Sequence, residues 1–113
     1  TPWAFAKARA WSGRSEEFVR RAGFTLMATL AVHAKKEPEA TFLALLPLIE
    51  AGAGDERNFV KKAVNWALRQ IGKRSATLRP AAMATAEVIL LQDTPAARWV
   101  ARGALRELRT YVR

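Results

Sequence analysis

Cysteine is absent from this chain, and histidine occurs once, as His33. The first absence excludes a disulfide framework and thiolate chemistry and favours an intracellular, cytoplasmic setting. The second leaves too few ligands for a metal site. Aspartate is scarce as well, with only Asp55 and Asp93; paired carboxylates, glycine-rich phosphate loops and nucleophile–histidine arrangements are missing, and no cofactor is expected. The longest apolar run, ATFLALLPLI, holds Pro47 and is about half the length a membrane span needs. No membrane partner is therefore expected. The N-terminal TPWAFAKARAW lacks an initiator Met and the charged-then-apolar order of a secretion signal. It reads as a cut made inside a longer chain.

Negative charge is the other shortage. Ten Asp and Glu face nineteen Lys and Arg, which leaves +9 on 113 residues, and an excess of that size on a small domain points to polyanions. Hydrophobic residues make up 50% and charged residues 26%, the profile of a soluble globular chain rather than a disordered one.

Punctuation falls at intervals of roughly 20 residues, and the segments between are helical in pattern, with no strand-like alternation. Pro2 opens a short helix to about Trp11. Ser15, followed by Glu16 and Glu17, caps a second helix running to Lys36. Pro38 stands at the first turn of a third, ATFLALLPLIE, which dissolves in AGAG. Asp55 caps the fourth, closed by GKRS; a fifth spans Leu78 to Leu91; Asp93 or Thr94 caps the sixth, with Pro95 at its first position. The chain is thus all-α with six helices, arranged as a bundle or as a superhelix of stacked pairs. The spacing favours pairs, although no internal sequence repeat accompanies it.

The fourth helix, FVKKAVNWALRQIGKR, raises a question. At about 100° per residue, Val60, Val64, Ala67, Leu68 and Ile71 form its core face. Trp66 instead falls beside Lys62, Arg69 and Lys73, with Phe59 near the edge. The last helix repeats the design: Val100, Ala101, Ala104, Leu105, Leu108 and Val112 make an apolar face, and Trp99 lies opposite with Arg102, Arg106 and Arg113. Residues 55–74 carry six basic and two acidic side chains and residues 95–113 carry five and one, so these two helices hold eight of the nine net charges. Two arrangements account for the tryptophans. Each packs under the next helix with its basic neighbours as a solvated rim, or each belongs to a surface where cations meet phosphates and an indole face meets a sugar, a base or a cation.

In the second helix Val19, Gly23, Leu26 and Leu30 form the main apolar face. Arg21 projects with Thr25, Ala28 and Val32 on the other, either over a shallow cleft or as a snorkelling or ion-paired arginine. His33, near the helix end beside lysines, is expected to be exposed.

DERNFVKKAVNWALRQIGKR, with EEFVRRAGF ahead of it and ARWVARGALREL behind it, resembles the bacterial DNA alkylation repair family, DNA glycosylases built from HEAT-like helix pairs. The resemblance covers nearly the whole chain. It implies an all-α, short right-handed superhelix, with residues 1–113 as one HEAT-like-repeat domain from the C-terminal part of a longer protein. In that family a concave basic face holds duplex DNA, and positively charged N3- or N7-alkylated purines are excised, in the best-studied kind without flipping the base. The resemblance matches the family's DNA-contacting arginine to Arg21, with Arg20 less favoured, and its lesion-contacting tryptophan to Trp66. It also places the catalytic aspartate and a companion tryptophan upstream of Thr1. The implied partner is double-stranded, alkylated DNA. The expected activity is that of a monofunctional glycosylase in the parent protein, the chain itself being a DNA-binding remnant. The competing readings are a non-catalytic nucleic-acid-binding module and a protein-interaction scaffold. A cut end would leave an apolar flank open to dimerisation.

Overall fold

The computed structural model describes residues 2–111; Val112 and Arg113, placed by the sequence on the two faces of the last helix, lie outside them. The described residues form seven helical segments: α1 (Pro2–Ser12), α2 (Glu17–His33), α3 (Glu39–Leu43), α4 (Leu46–Gly52), α5 (Asn58–Arg74), α6 (Leu78–Leu90) and α7 (Pro95–Thr110). There is no strand among them. The chain is all-α, in keeping with a helical-repeat fold, and no helix is long and apolar enough to cross a membrane.

The helices lie in two rows. α2 packs along α5 and α5 against α7, so the second members of three successive pairs stand side by side. α4 meets α1 and α6 in the other row, where α3 also touches α6. The molecule is only 17 Å thick in its shortest dimension, close to two helices of roughly 10 Å each. Phe24 and Met27 of α2, Phe42, Leu45 and Ile49 of the α3–α4 region, and Val60, Val64, Leu68 and Ile71 of α5 are fully buried between the rows. α6 and α7 close the core with Leu78, Ile89 and Leu108.

The third helix expected from the sequence is two. Proline has no backbone N–H, and its ring collides with the carbonyl four residues back. For Pro47 that carbonyl belongs to Leu43, where α3 stops. The chain tightens through Leu45 N–H to Phe42 O at 3.0 Å and Leu48 N–H to Leu45 O at 3.0 Å, and Pro47 then sits in the first turn of α4, where no intrahelical donor is needed.

Other expectations shift for local reasons. Ser15 does not cap α2, which starts at Glu17 without a side-chain cap; its carbonyl accepts from Arg57 at 2.9 Å instead. α2 also ends at His33 rather than Lys36, because Arg74 of α5 donates to the carbonyls of Ala31 and Ala34 at 2.9 and 2.7 Å and to that of Glu37 at 3.0 Å. Those acceptors hold the chain in a turn. Asp55 is not the N-cap of α5, which has Arg57 there; it accepts the Arg57 backbone N–H at 3.0 Å two residues on, an Asx-type turn. Thr94 caps α7, accepting from Ala97 N–H at 3.1 Å, while Asp93 takes the left-handed φ of 55° and pairs with Arg98 at 2.7 Å.

The core face of α2 also differs from expectation. Gly23, Phe24, Met27, Ala28 and Ala31 are buried, whereas Val19, Leu26 and Leu30 are only half-buried. Gly23 explains the rotation. A Cβ there would lie 2.8 Å from Ser12 Cα, so the bare face of α2 accepts the end of α1.

Candidate nucleic-acid interface

α5 runs down the middle of the α2–α5–α7 row and presents different residues to each neighbour. Val60, Val64, Ala67, Leu68 and Ile71 go to the core. Trp66 is 36% exposed and Phe59 49% exposed, so neither indole nor phenyl is sealed between helices. With Lys62 and Ala63 they line a shallow groove of about 290 Å³, completed by Arg21 and Thr25 of α2. Ala28 and Val32, expected beside Arg21 in such a cleft, are absent from its lining, Ala28 being fully buried.

Arg21 is exposed and has no ion pair within 4.0 Å among the described residues. Its guanidinium lies 5.9 Å from the centre of the Phe18 ring and 5.4 Å from that of Phe59, and the two rings are 6.2 Å apart. The seat is a cation–π clasp that leaves the charge exposed. Its neighbour Arg20 is turned the other way, 3.8 Å from Asp55, with a buried Nε that has no hydrogen-bond acceptor among the described residues. Phe18 is not among the candidates the sequence offers, yet it stands three residues before Arg21, the spacing at which helical side chains meet.

A second groove, of about 760 Å³, runs between α5 and α7. Trp99, Arg102 and Arg106 line it from α7, and Asn65 and Arg69 from α5. Lys61 Nζ stands 5.1 Å from the centre of the Trp99 ring, holding the indole while leaving it 45% exposed. Gly103 lets the helices approach, since a Cβ there would lie 2.9 Å from Asn65 Nδ2. Asn65 uses that closeness: Nδ2 donates to Val100 O at 3.0 Å, and Oδ1 accepts from Arg69 Nε at 2.8 Å.

The eight residues picked from the sequence thus fall into two sets and a remainder. Arg21, Lys62 and Trp66 share the first groove, and Arg69, Trp99, Arg102 and Arg106 the second. Lys73 lines neither. It donates to Glu107 Oε2 at 2.6 Å, while Arg69 Nη1 donates to Glu107 Oε1 at 2.9 Å. Hydrogen bonds from Lys73 first and Arg69 second hold the Glu107 carboxyl below its ordinary range, so it is anionic at neutral pH. The single stripe read from α5 is therefore divided by one acid. Lys62, Arg102 and Arg106 are exposed and have no ion pair within 4.0 Å among the described residues.

No carboxylate of the described residues lines the Trp66 groove. Asp55 is held by Arg57, with bonds of 3.0 and 2.7 Å to its two oxygens, and Asp93 by Arg98. No cluster of His, Asp or Glu among the described residues could hold a metal ion. Cations, exposed indoles and open grooves suit a large anion with flat faces or sugar edges. No match was found among curated proteins or among solved structures. A model of the DNA alkylation repair enzyme family matches residues 2–108, and the chain belongs to that family.

Proposed function

We propose that the α2–α5–α7 face holds duplex DNA carrying N3- or N7-alkylated purines and that the protein acts as a monofunctional DNA glycosylase. The observation that carries this reading is the Trp66 groove: an exposed indole beside Arg21 and Lys62, two cations without an ion pair among the described residues, with no acid among the described residues of its lining. Lys62, Arg21, Arg102 and Arg106 meet phosphates, which give affinity without sequence reading. Trp66 offers its face to the sugar or base at the lesion, and Trp99 does the same further along the duplex. Three helix pairs of the HEAT-like kind would set these contacts along a curved face.

The chemistry fits such a division of labour. Alkylation at N3 or N7 leaves the purine positively charged, and its glycosidic bond breaks through an oxocarbenium-like state that an anion stabilises. An indole face attracts the same cation. Asp55 and Asp93 are committed to arginines outside the Trp66 groove, so this reading assigns the stabilising carboxylate to a part of the protein outside residues 2–111. Trp66 and Arg21 grip the DNA at the lesion.

Two measurements on the full-length protein test this. Duplex binding followed by fluorescence anisotropy should weaken with a slope of log K against log salt of roughly −3 to −4, the value for four phosphate contacts. Release of 7-methylguanine from methylated duplex should accompany it. Binding without release would leave a non-catalytic DNA-binding module, a reading that the commitment of both aspartates to arginines favours. Salt-insensitive binding, or none, would remove both.

A further inference from the structure

Glu107 has the geometry of a stand-in for phosphate. Its two oxygens take one cation each, Arg69 Nη1 at 2.9 Å and Lys73 Nζ at 2.6 Å. Both cations are themselves braced: Arg69 Nε is held by Asn65 Oδ1 at 2.8 Å, and Lys73 lies 5.9 Å from the Tyr111 ring centre. The cluster is not sealed, because the Glu107 side chain is 33% exposed and lines the same groove as Trp99, Arg102 and Arg106. A carboxylate receiving two charge-assisted bonds presents to its partners what two oxygens of a DNA phosphate would present. While it does so, one of the two positive charges on Arg69 and Lys73 is cancelled and both side chains are turned to the acid.

We propose that Glu107 is an internal phosphate mimic that limits how tightly the basic face grips undamaged duplex DNA. It withholds Arg69, a cation of the groove wall, from the backbone, so that binding depends on the contacts around Trp66 and Trp99 and not on charge alone. A repair protein that held every duplex tightly would be slow to leave undamaged sites, and one well-placed acid lowers that sequence-independent term without unbuilding the groove. The inference rests on the DNA-binding reading above.

The test compares wild-type protein with Glu107→Gln in salt titrations of a short fluorescent unmodified duplex. With the acid gone, Arg69 on the groove wall is released from it, so Glu107→Gln should bind more tightly, with a log K against log salt slope steeper by about one, at roughly 0.9 for each added phosphate contact. Glu50→Gln, which makes the same charge change on α4 and outside both grooves, should leave the slope unchanged. Glu107→Asp keeps the charge but is one methylene too short to reach both cations and should give an intermediate slope. Should Glu107→Gln melt too low to measure, the aspartate variant decides. A wild-type slope in the Glu107 variants, or equal tightening by Glu50→Gln, would overturn the proposal while leaving DNA binding intact. A wild-type protein that fails to bind the duplex would instead remove the functional reading and this inference with it.

Discussion

The guanidinium of Arg21 stands 5.4 Å from the centre of the Phe59 ring, and this contact ties α2 to α5 at the mouth of the Trp66 groove. Phe59 is half exposed, so its contribution to the core is small. A cation over a phenyl ring at an exposed site contributes about 0.5–1 kcal/mol, enough to fix where a flexible arginine points.

Phe59→Ala should therefore leave the melting temperature nearly unchanged and weaken DNA binding through Arg21. A double-mutant cycle measures this directly. In an Arg21→Gln background, Phe59→Ala should cost little further affinity, because the two act as one unit. Additive losses would mean that Phe59 meets DNA on its own account.

Trp66 and Trp99 should separate in the same assay. Replacing a stacked indole by Ala costs about 1–3 kcal/mol of nucleic-acid affinity, and Trp66→Ala should show that loss with unchanged helicity by circular dichroism. Trp99 already has Lys61 over its ring. Trp99→Ala also frees that lysine for a phosphate, so its net loss should be smaller, with a salt slope slightly steeper than wild type. A collapsed melting temperature with wild-type binding for Trp66→Ala would place that indole in the core instead.

α5 and α7 were legible from sequence because each has one apolar face and one charged face, and the periodicity leaves a single solution. α2 was not. Phe24, Met27, Leu26 and Leu30 are apolar in several directions, and what decides between them is Gly23 meeting the end of α1, a contact no periodicity encodes. Pro47 was visible, but its effect on the carbonyl of Leu43 emerges only when the helix is built. The two grooves depend on which of the α5 residues turn to α2 and which to α7. Glu107 bonds residues 34 and 38 positions earlier, beyond any local pattern. Charge along the sequence therefore marks the basic helices and the acid among them, but not which cations that acid takes.

Gly23 gives a stability prediction. A methyl group there must displace backbone at the end of α1 rather than the tip of a flexible side chain. Overpacking of this kind typically costs about 1–3 kcal/mol, which outweighs the helix propensity gained on replacing Gly by Ala, about 1 kcal/mol. Gly23→Ala should lower the melting temperature, and urea unfolding should show a reduced midpoint with an unchanged slope. An increase in stability would mean that α1 yields freely.

Acid should loosen the fold through Asp55 and Glu107. Hydrogen bonding from Arg57 holds the Asp55 carboxyl below its usual range, with the charge of Arg20 assisting, and Lys73 with Arg69 does the same for Glu107. A carboxyl more acidic in the folded than in the unfolded chain contributes stability that is complete above its unfolded pKa, roughly 4 for these side chains. That contribution drains away as pH falls through the lower folded value. The melting temperature should therefore drop between about pH 5 and pH 3. Asp55→Asn should start lower at neutral pH, since it gives up the paired charge, and lose less over the same interval because one of the two titrating groups is gone. The wild-type and variant curves should converge in acid; curves that stay parallel would mean that the Asp55–Arg57 pair adds nothing to folding.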